Sequence, residues 1–351
     1  MAERLKKGEN PDQASFELGF CLVLQTFEKL AQDLHRFGFM NKNLPLTGHL
    51  LPFANLSSLH NEKPESISYE RARQIVSDWV NGLTAAEATL ARLRGDSVKM
   101  PIQVGRIRLD MNGDGEATED ESFWKLFVSM SGRPIVFGEV ERFVIGFDRA
   151  DVEWLRGYCH LMAGIGDVVL AYDWHEFFDA TASLLFAKAQ TLGVALADAP
   201  KAELFGMNSE FADAIAAIHL MRFKVSDKER LASALNHFEA VIAQSRLMWK
   251  LILREADNDN EWIPSPKQTS ALAGMNISEV QISAWHDFLN ETESVLKGKK
   301  LIPHWRYQNR HGNHVESTVG VNLRKAFLEP TDFDIVLIAH GAGVAPFIEK
   351  G

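Results

Sequence analysis

The stretch Asp12–Gly38, DQASFELGFCLVLQTFEKLAQDLHRFG, decides the fold class. Phe16, Phe20, Val23, Phe27, Leu30 and Leu34 recur at spacings of three and four, which puts them on one stripe of an α-helix that breaks near Gly38. Such a stripe must be buried, so the rest of the chain has to supply partners. The same spacing returns over 68–94 with Ile75, Val76, Trp79, Leu83, Leu90 and Leu93, and Gly95 stands as its stop. Asp148–Lys188 reads as two helices, the first with Trp154, Tyr158, Leu161, Ile165 and Val168 on one face; Gly157, Gly164 and Gly166 mark a close helix contact or a kink. Ser226 with Glu229, and Ser278 with Gln281, have capping-box spacing. They open helices carrying Leu231, Leu235, Phe238, Ile242, Trp249 and Ile252, and then Trp285, Phe288, Leu289 and Leu296. Three long segments rich in turn residues separate these elements: 38–66, 256–276, and a hairpin-like 298–322. The tail DIVLIAHGAGVAPF reads as a buried strand or a short apolar helix, with Asp332 and Asp334 at its start favouring the helix. The fold expected is mainly α: an irregular multi-helix globular unit over 1–351 with long loops, divisible into 12–131 and a helical body at 132–351.

A chain of 351 residues with 46% hydrophobic content can bury a substantial core. Its 47 acidic against 37 basic residues, a net charge of -10, disfavour a nucleic-acid backbone or an anionic membrane as partner and favour cations or basic surfaces. No apolar run approaches the roughly 20 residues that span a bilayer, and MAERLKKGENPDQ has no apolar stretch after its basic residues. Cys21 and Cys159 lie in apolar helical patterns, so buried free thiols are expected, with a single bridge left open.

The strongest local signal is DMNGDGEATEDE, residues 110–121. Calcium takes six to eight oxygens, and a twelve-residue loop supplies them from positions 1, 3, 5, 7, 9 and 12. Here those positions are Asp110, Asn112, Asp114, Glu116, Thr118 and Glu121. Glu116 would give its carbonyl, Thr118 a hydroxyl or a bridging water, and Glu121 both carboxylate oxygens; Gly115 occupies the sharp turn. The stretch resembles the loop of the EF-hand calcium-binding family over these dozen residues. The resemblance implies Ca2+ as the bound ion, in a structural role because no second intact loop pairs with it. Ala117 stands where the family carries a branched apolar residue, and 257–268 has Trp262 and Gln268 where glycine and glutamate belong, so it reads as an acidic surface loop. SFWKLF fits an exiting helix through Phe123, Leu126 and Phe127; Ile102, Val104, Ile107 and Leu109 suit an extended entering segment as well as a helix. The calcium is expected to fix the junction between the N-terminal helices and the C-terminal body.

Signals for a reaction are weaker. HEFFD places His175 and Asp179 one helical turn apart beside Glu176, a near-miss to a zinc signature, and His304, His311 and His314 form the densest imidazole cluster, with Glu316 nearby. HGAGV at 340–344 lacks a nucleophile, and no phosphate-binding glycine loop occurs. His160, His219, His237 and His286 read as helix-borne core or boundary residues, and Trp79, Trp124, Trp154, Trp249 and Trp285 as core. The reading is a calcium-binding helical protein, non-catalytic, serving as a binding or scaffold module for an unidentified protein or small molecule. The alternative is a metal-dependent hydrolase built on either histidine set. A constitutive calcium site fits the periplasm or an extracellular setting better than the cytoplasm.

Overall fold

The apolar stripe at 12–38 becomes α1 (Pro11–Arg36), whose first turn is capped by Asn10 Oδ1 accepting from the backbone of Asp12 and Gln13 at 3.2 and 3.4 Å. It ends where Gly38 takes φ +63°, and Phe39 N–H closes on Leu34 O at 2.9 Å. In the computed structural model, residues 10–40, 61–125, 143–190, 203–204, 207–272, 274–307, 309–311, 314–316 and 319–351 are described. Most of the 38–66 segment, Leu126 and Phe127 lie outside them, as do the side chains of His311, His314 and Glu316.

Beyond α1 the chain runs through α2 (Tyr69–Leu90), β1 (Lys99–Gln103), β2 (Val144–Asp148), α3 (Arg149–Ala171), β3 (Tyr172–Asp173) and α4 (His175–Thr181). Then follow β4 (Glu203–Leu204), β5 (Met207–Asn208), α5 (Ser209–Leu220), β6 (Arg222–Val225), α6 (Lys228–Ile252) and α7 (Glu279–Leu296). The last part holds β7 (Asn309–His311), β8 (His314–Glu316), β9 (Val319–Val321), α8 (Leu323–Leu328), β10 (Phe333–Asp334), α9 (Ile335–His340) and β11 (Ile348–Lys350). The protein is mainly helical, with small two- and three-stranded sheets. It divides into two units, one of residues 1–65, 78–163 and 240–286 and one of 66–77, 164–239 and 287–351, with every boundary after the first inside a helix.

In the first unit α1 buries Phe16, Val23, Phe27 and Leu34. The helix approaches the C-terminal part of α2 closely: a Cβ on Gly19 would meet Leu90 Cδ2 at 2.4 Å, and one on Gly82 would meet Thr26 Oγ1 at 2.5 Å. Phe27 meets Trp79 edge-on at 5.1 Å. β1 and β2 pair antiparallel with Ile102 opposite Ile145. Ala150, Met248, Trp249, Ile252 and Ile282 form a further apolar cluster.

In the second unit β6 lies between β3 and β10, with Phe223 opposite Phe333 and stacked on it at 5.5 Å. Arg73 ties the end of α3 to β3 through the carbonyls of Leu170 and Tyr172, both at 2.7 Å. The fully buried Asp167 carboxylate accepts from Arg230 Nη1 at 2.7 Å. A Cβ on Gly164 would meet Phe238 Cε1 at 2.9 Å, so this glycine serves helix contact, and α3 continues through it.

Several local expectations change. α2 ends at Leu90, before Gly95, because Arg92 and Leu93 N–H groups turn back to Thr89 and Leu90 carbonyls, and Gly95 N–H instead donates to Asp12 Oδ2 at 2.7 Å. Asp227, not Ser226, caps α6, accepting from Glu229 N at 3.0 Å, while the Ser226 hydroxyl donates to Ala171 O. The Ser278–Gln281 box forms as expected. Trp285 and Phe288 are exposed, since α7 buries Ile282, Leu289 and Leu296 instead. Both cysteines are free: Cys159 is buried, but Cys21 lies on the exposed face of α1. Asp334 caps α9 by accepting from Leu337 N–H at 2.9 Å, which makes the tail a short helix.

Candidate metal-binding loop and its surroundings

Residues 110–121 belong to the first unit and are held there at both ends. The entering segment is extended: after β1 and a short turn at Val104–Arg106, Arg108 pairs antiparallel with Ser122, with Leu109 N–H on Glu121 O and Phe123 N–H on Ile107 O. Two side chains of α1 then grip the start of the loop. Asp110 N–H donates to Glu28 Oε1 at 2.8 Å, and Gln32 Nε2 donates to Asp110 O at 2.7 Å. Inside the loop the backbone wraps around the Asp110 carboxylate, which accepts from Gly113, Asp114 and Gly115 N–H groups at 2.7, 3.1 and 3.0 Å. Gly113 and Gly115 take φ of +76° and +90°, conformations in which a side chain is strained. Asn112 Oδ1 accepts from Asp114 N, and Asn112 Nδ2 donates to Asp114 Oδ2. The Glu116 N–H on Asp114 Oδ1 lowers the Asp114 pKa, keeping that carboxylate ionised.

Glu121 differs from the other ligating candidates because it is only 2% exposed. Its Oε1 accepts from Met111 and Asn112 N–H groups at 2.9 and 3.0 Å, and its Oε2 accepts from Thr118 N and Thr118 Oγ1 at 3.0 and 2.8 Å. A carboxylate offers about four lone-pair sites, so all of them are taken by the loop itself. Asp110, Asp114 and Glu121 accordingly do not bring three carboxylate oxygens within 4.8 Å of one another. Thr118 is joined to Glu121, whereas the Glu116 side chain stays exposed.

The segment 257–268 is exposed and acidic at 257–260, as expected, but turns inward from Glu261. Glu261 is 4% and Gln268 8% exposed. Several features repeat those of 110–121. Asn260, the fourth residue, has φ +57° as Gly113 has +76°. Ser265 N–H donates to Gln268 Oε1 at 2.8 Å as Thr118 N–H donates to Glu121. The difference lies in charge. Lys99 Nζ pairs with Asp257 and lies 3.7 Å from Asp259, and the Gln268 amide donates to Glu255, Asp257 O and Glu261. An ammonium and an amide thus supply the positive partners.

Beside it, Asp148, Glu255 and Glu261 bring carboxylate oxygens within 4.8 Å of one another. Burial raises the pKa of all three, that of Glu255 to about 7, where its hydrogen bond with Asp148 adds to the effect. Asp151, buried next to them, is pushed well above the usual carboxylate range by burial and then by the Asp148 charge. Protons relieve the repulsion in this group. No spacing rule reveals it, because Asp148 is more than 100 residues from its partners and is brought to them by β2.

The histidine signals do not assemble into a metal site among the described residues. His175 Nε2 lies 3.5 Å from Asp179, one turn apart on α4 as its spacing predicts, and the ring stacks on Tyr69 at 4.4 Å. Glu176 turns instead to Arg222 at 3.3 Å, so no third donor joins the pair. His175, Glu176 and Arg222 edge a cleft of about 550 Å³ that also holds Asp173, Lys224, Asp332 and Asp334. His304 has both ring nitrogens engaged, with Ile338 O at 3.0 Å and Arg306 N at 3.3 Å. β7 and β8 pair His311 with His314 across a hairpin. No known protein-family model, curated protein or solved structure matches the chain.

Proposed function

We propose that the chain is a calcium-binding helical protein whose ion, taken up by Asp110, Asn112, Asp114, Glu116, Thr118 and Glu121, is structural and clamps this loop to α1. The protein is then a non-catalytic binding or scaffold module, suited to a compartment where calcium is abundant. The observation that carries the reading is the curl of the backbone around Asp110, with two glycines at positive φ, in a segment whose six oxygen-bearing positions match a calcium loop. Gln32 and Glu28 supply the route by which an ion in the loop would stiffen α1.

Uptake asks Glu121 to exchange some of its four backbone and hydroxyl donors for the cation, so affinity is set against those bonds. Calorimetry on metal-stripped protein tests the proposal. One calcium per chain is expected, with a melting temperature that rises with calcium by linkage, about 2.7 kcal/mol at a hundredfold excess over Kd. Glu121→Gln should weaken uptake and also cost the ion-free protein about 2–4 kcal/mol, because an NH2 group would face N–H donors; Glu116→Gln should change neither. No heat of binding at millimolar calcium sinks the reading. Stoichiometric zinc, iron or manganese surviving calcium chelation would favour the metal-dependent hydrolase, with His175 at its cleft and Asp179 beside it.

A further inference from the structure

The first unit holds a half-open cavity of about 400 Å³ that neither the ion loop nor the buried carboxylates use. Its aromatic wall is built by Phe20, Phe27, Phe123, Phe147, Trp154, Tyr158 and Trp262, and the other described lining side chains are aliphatic or Met275. Trp154 stacks on Tyr158 at 5.8 Å, and Phe27 on Tyr158 at 6.3 Å, giving flat ring faces. The volume falls in the range of small-molecule sites, which combine mostly apolar walls with few polar groups. Water is held there poorly, because an ordered water wants two to four polar partners and the Tyr158 hydroxyl is the sole side-chain oxygen among the described residues of the lining.

Charge narrows the occupant further. Ile145 and Phe147 line the cavity from β2, and strand alternation turns Asp148 to the opposite face, so the carboxylates stand behind the wall. No lysine or arginine is among the described residues that line it. An anionic headgroup would lose its water with no cation to pair it, and a cationic one would lose its water without reaching a carboxylate. Burial pushes the Tyr158 phenol up to about 12, so it remains a neutral hydroxyl.

We propose that this cavity binds a small, uncharged, largely hydrocarbon molecule, packed on the aromatic wall with one polar atom at the Tyr158 hydroxyl. This stands independently of calcium.

The test is titration of the full chain with the neutral fluorophore N-phenyl-1-naphthylamine, followed by competition with 1-dodecanol and with dodecanoate. One saturable site is expected, emptied by the alcohol at concentrations at least tenfold below those needed of the carboxylate. Leu24→Trp and Met275→Trp, which fill the cavity from α1 and from the 256–276 segment, should each weaken the fluorophore at least tenfold; Met275→Trp decides alone if Leu24→Trp fails to fold. Tyr158→Phe should weaken the alcohol a few-fold and leave the fluorophore unchanged. Val280→Ser, on the exposed face of α7, should change nothing. The proposal is overturned by absence of saturable binding, by equal displacement by dodecanoate, by filling variants that fold and bind as the parent does, or by loss of binding in Val280→Ser.

Discussion

Glu255 sits half-buried between Asp148, Glu261 and the Gln268 amide, and its pKa of about 7 against an ordinary 4.5 ties the fold to pH. A carboxyl raised in the folded state holds its proton more tightly there than in the unfolded chain. Its stabilising contribution is therefore complete below about pH 4.5 and is lost as pH climbs through about 7. Asp148, Asp151 and Glu261 shift in the same direction, so the trend is collective. Glu255→Gln should flatten the pH dependence of melting between pH 5 and 8 and stabilise the protein at pH 8 by roughly 1 kcal/mol after allowing for solvent screening. Thermal melts across that range check this; a steeper dependence in the variant would refute the protonation assignment. The sequence hinted at none of it, because alternating acids at 257–261 look like a solvated turn until β2 brings Asp148 beside them. The curl of the backbone at 110–121 was legible for the opposite reason: Asp110 and the two glycines that shape it lie within six consecutive residues. The engagement of Glu121 with backbone N–H groups was not, since a ligand pattern does not record where a carboxylate turns when no cation holds it.

At the level of elements, periodicity located the long helices because each buries a continuous apolar stripe. α1 and α3 begin within a residue or two of where their patterns start. On α7 it placed Leu289 and Leu296 rightly but misjudged Trp285 and Phe288, as burial there follows a seven-residue recurrence of Ile282, Leu289 and Leu296 and leaves Trp285 bonded to Ser245 at the surface. Short strands such as β3, β6 and β10 went unread, because two to four residues give no measurable alternation. The α1–α2 contact yields a direct test. Gly19→Ala gains about 1 kcal/mol of helix propensity but drives a methyl into the buried Leu90 side chain, 2.4 Å away. Overpacking should win, for a net loss of about 1–2 kcal/mol. Chemical denaturation of Gly19→Ala, Leu90→Ala and the pair should reveal a strong favourable coupling; additive losses would mean the helices separate freely.

On the scale of the whole molecule, the loop and the cavity share a stem. Ile102 and Val104 before the loop, and Phe123 just after it, all line the hydrophobic chamber of the first unit. An ion that stiffens the loop and a guest that packs on its stem would each favour the other, and by linkage the two affinities must change by the same factor. The two thiols give a way to watch such tightening. Cys21 faces solvent, whereas Cys159 lies 1% exposed within α3 with its thiol pushed up to about 12 by burial. Intact protein should therefore consume a single equivalent of iodoacetamide promptly, and the second only as fast as α3 opens. Two prompt equivalents would contradict the packing around Cys159. The molecule thus carries its own stopwatch: the lag before the second alkylation times the opening of its interior, without any label having to be engineered in.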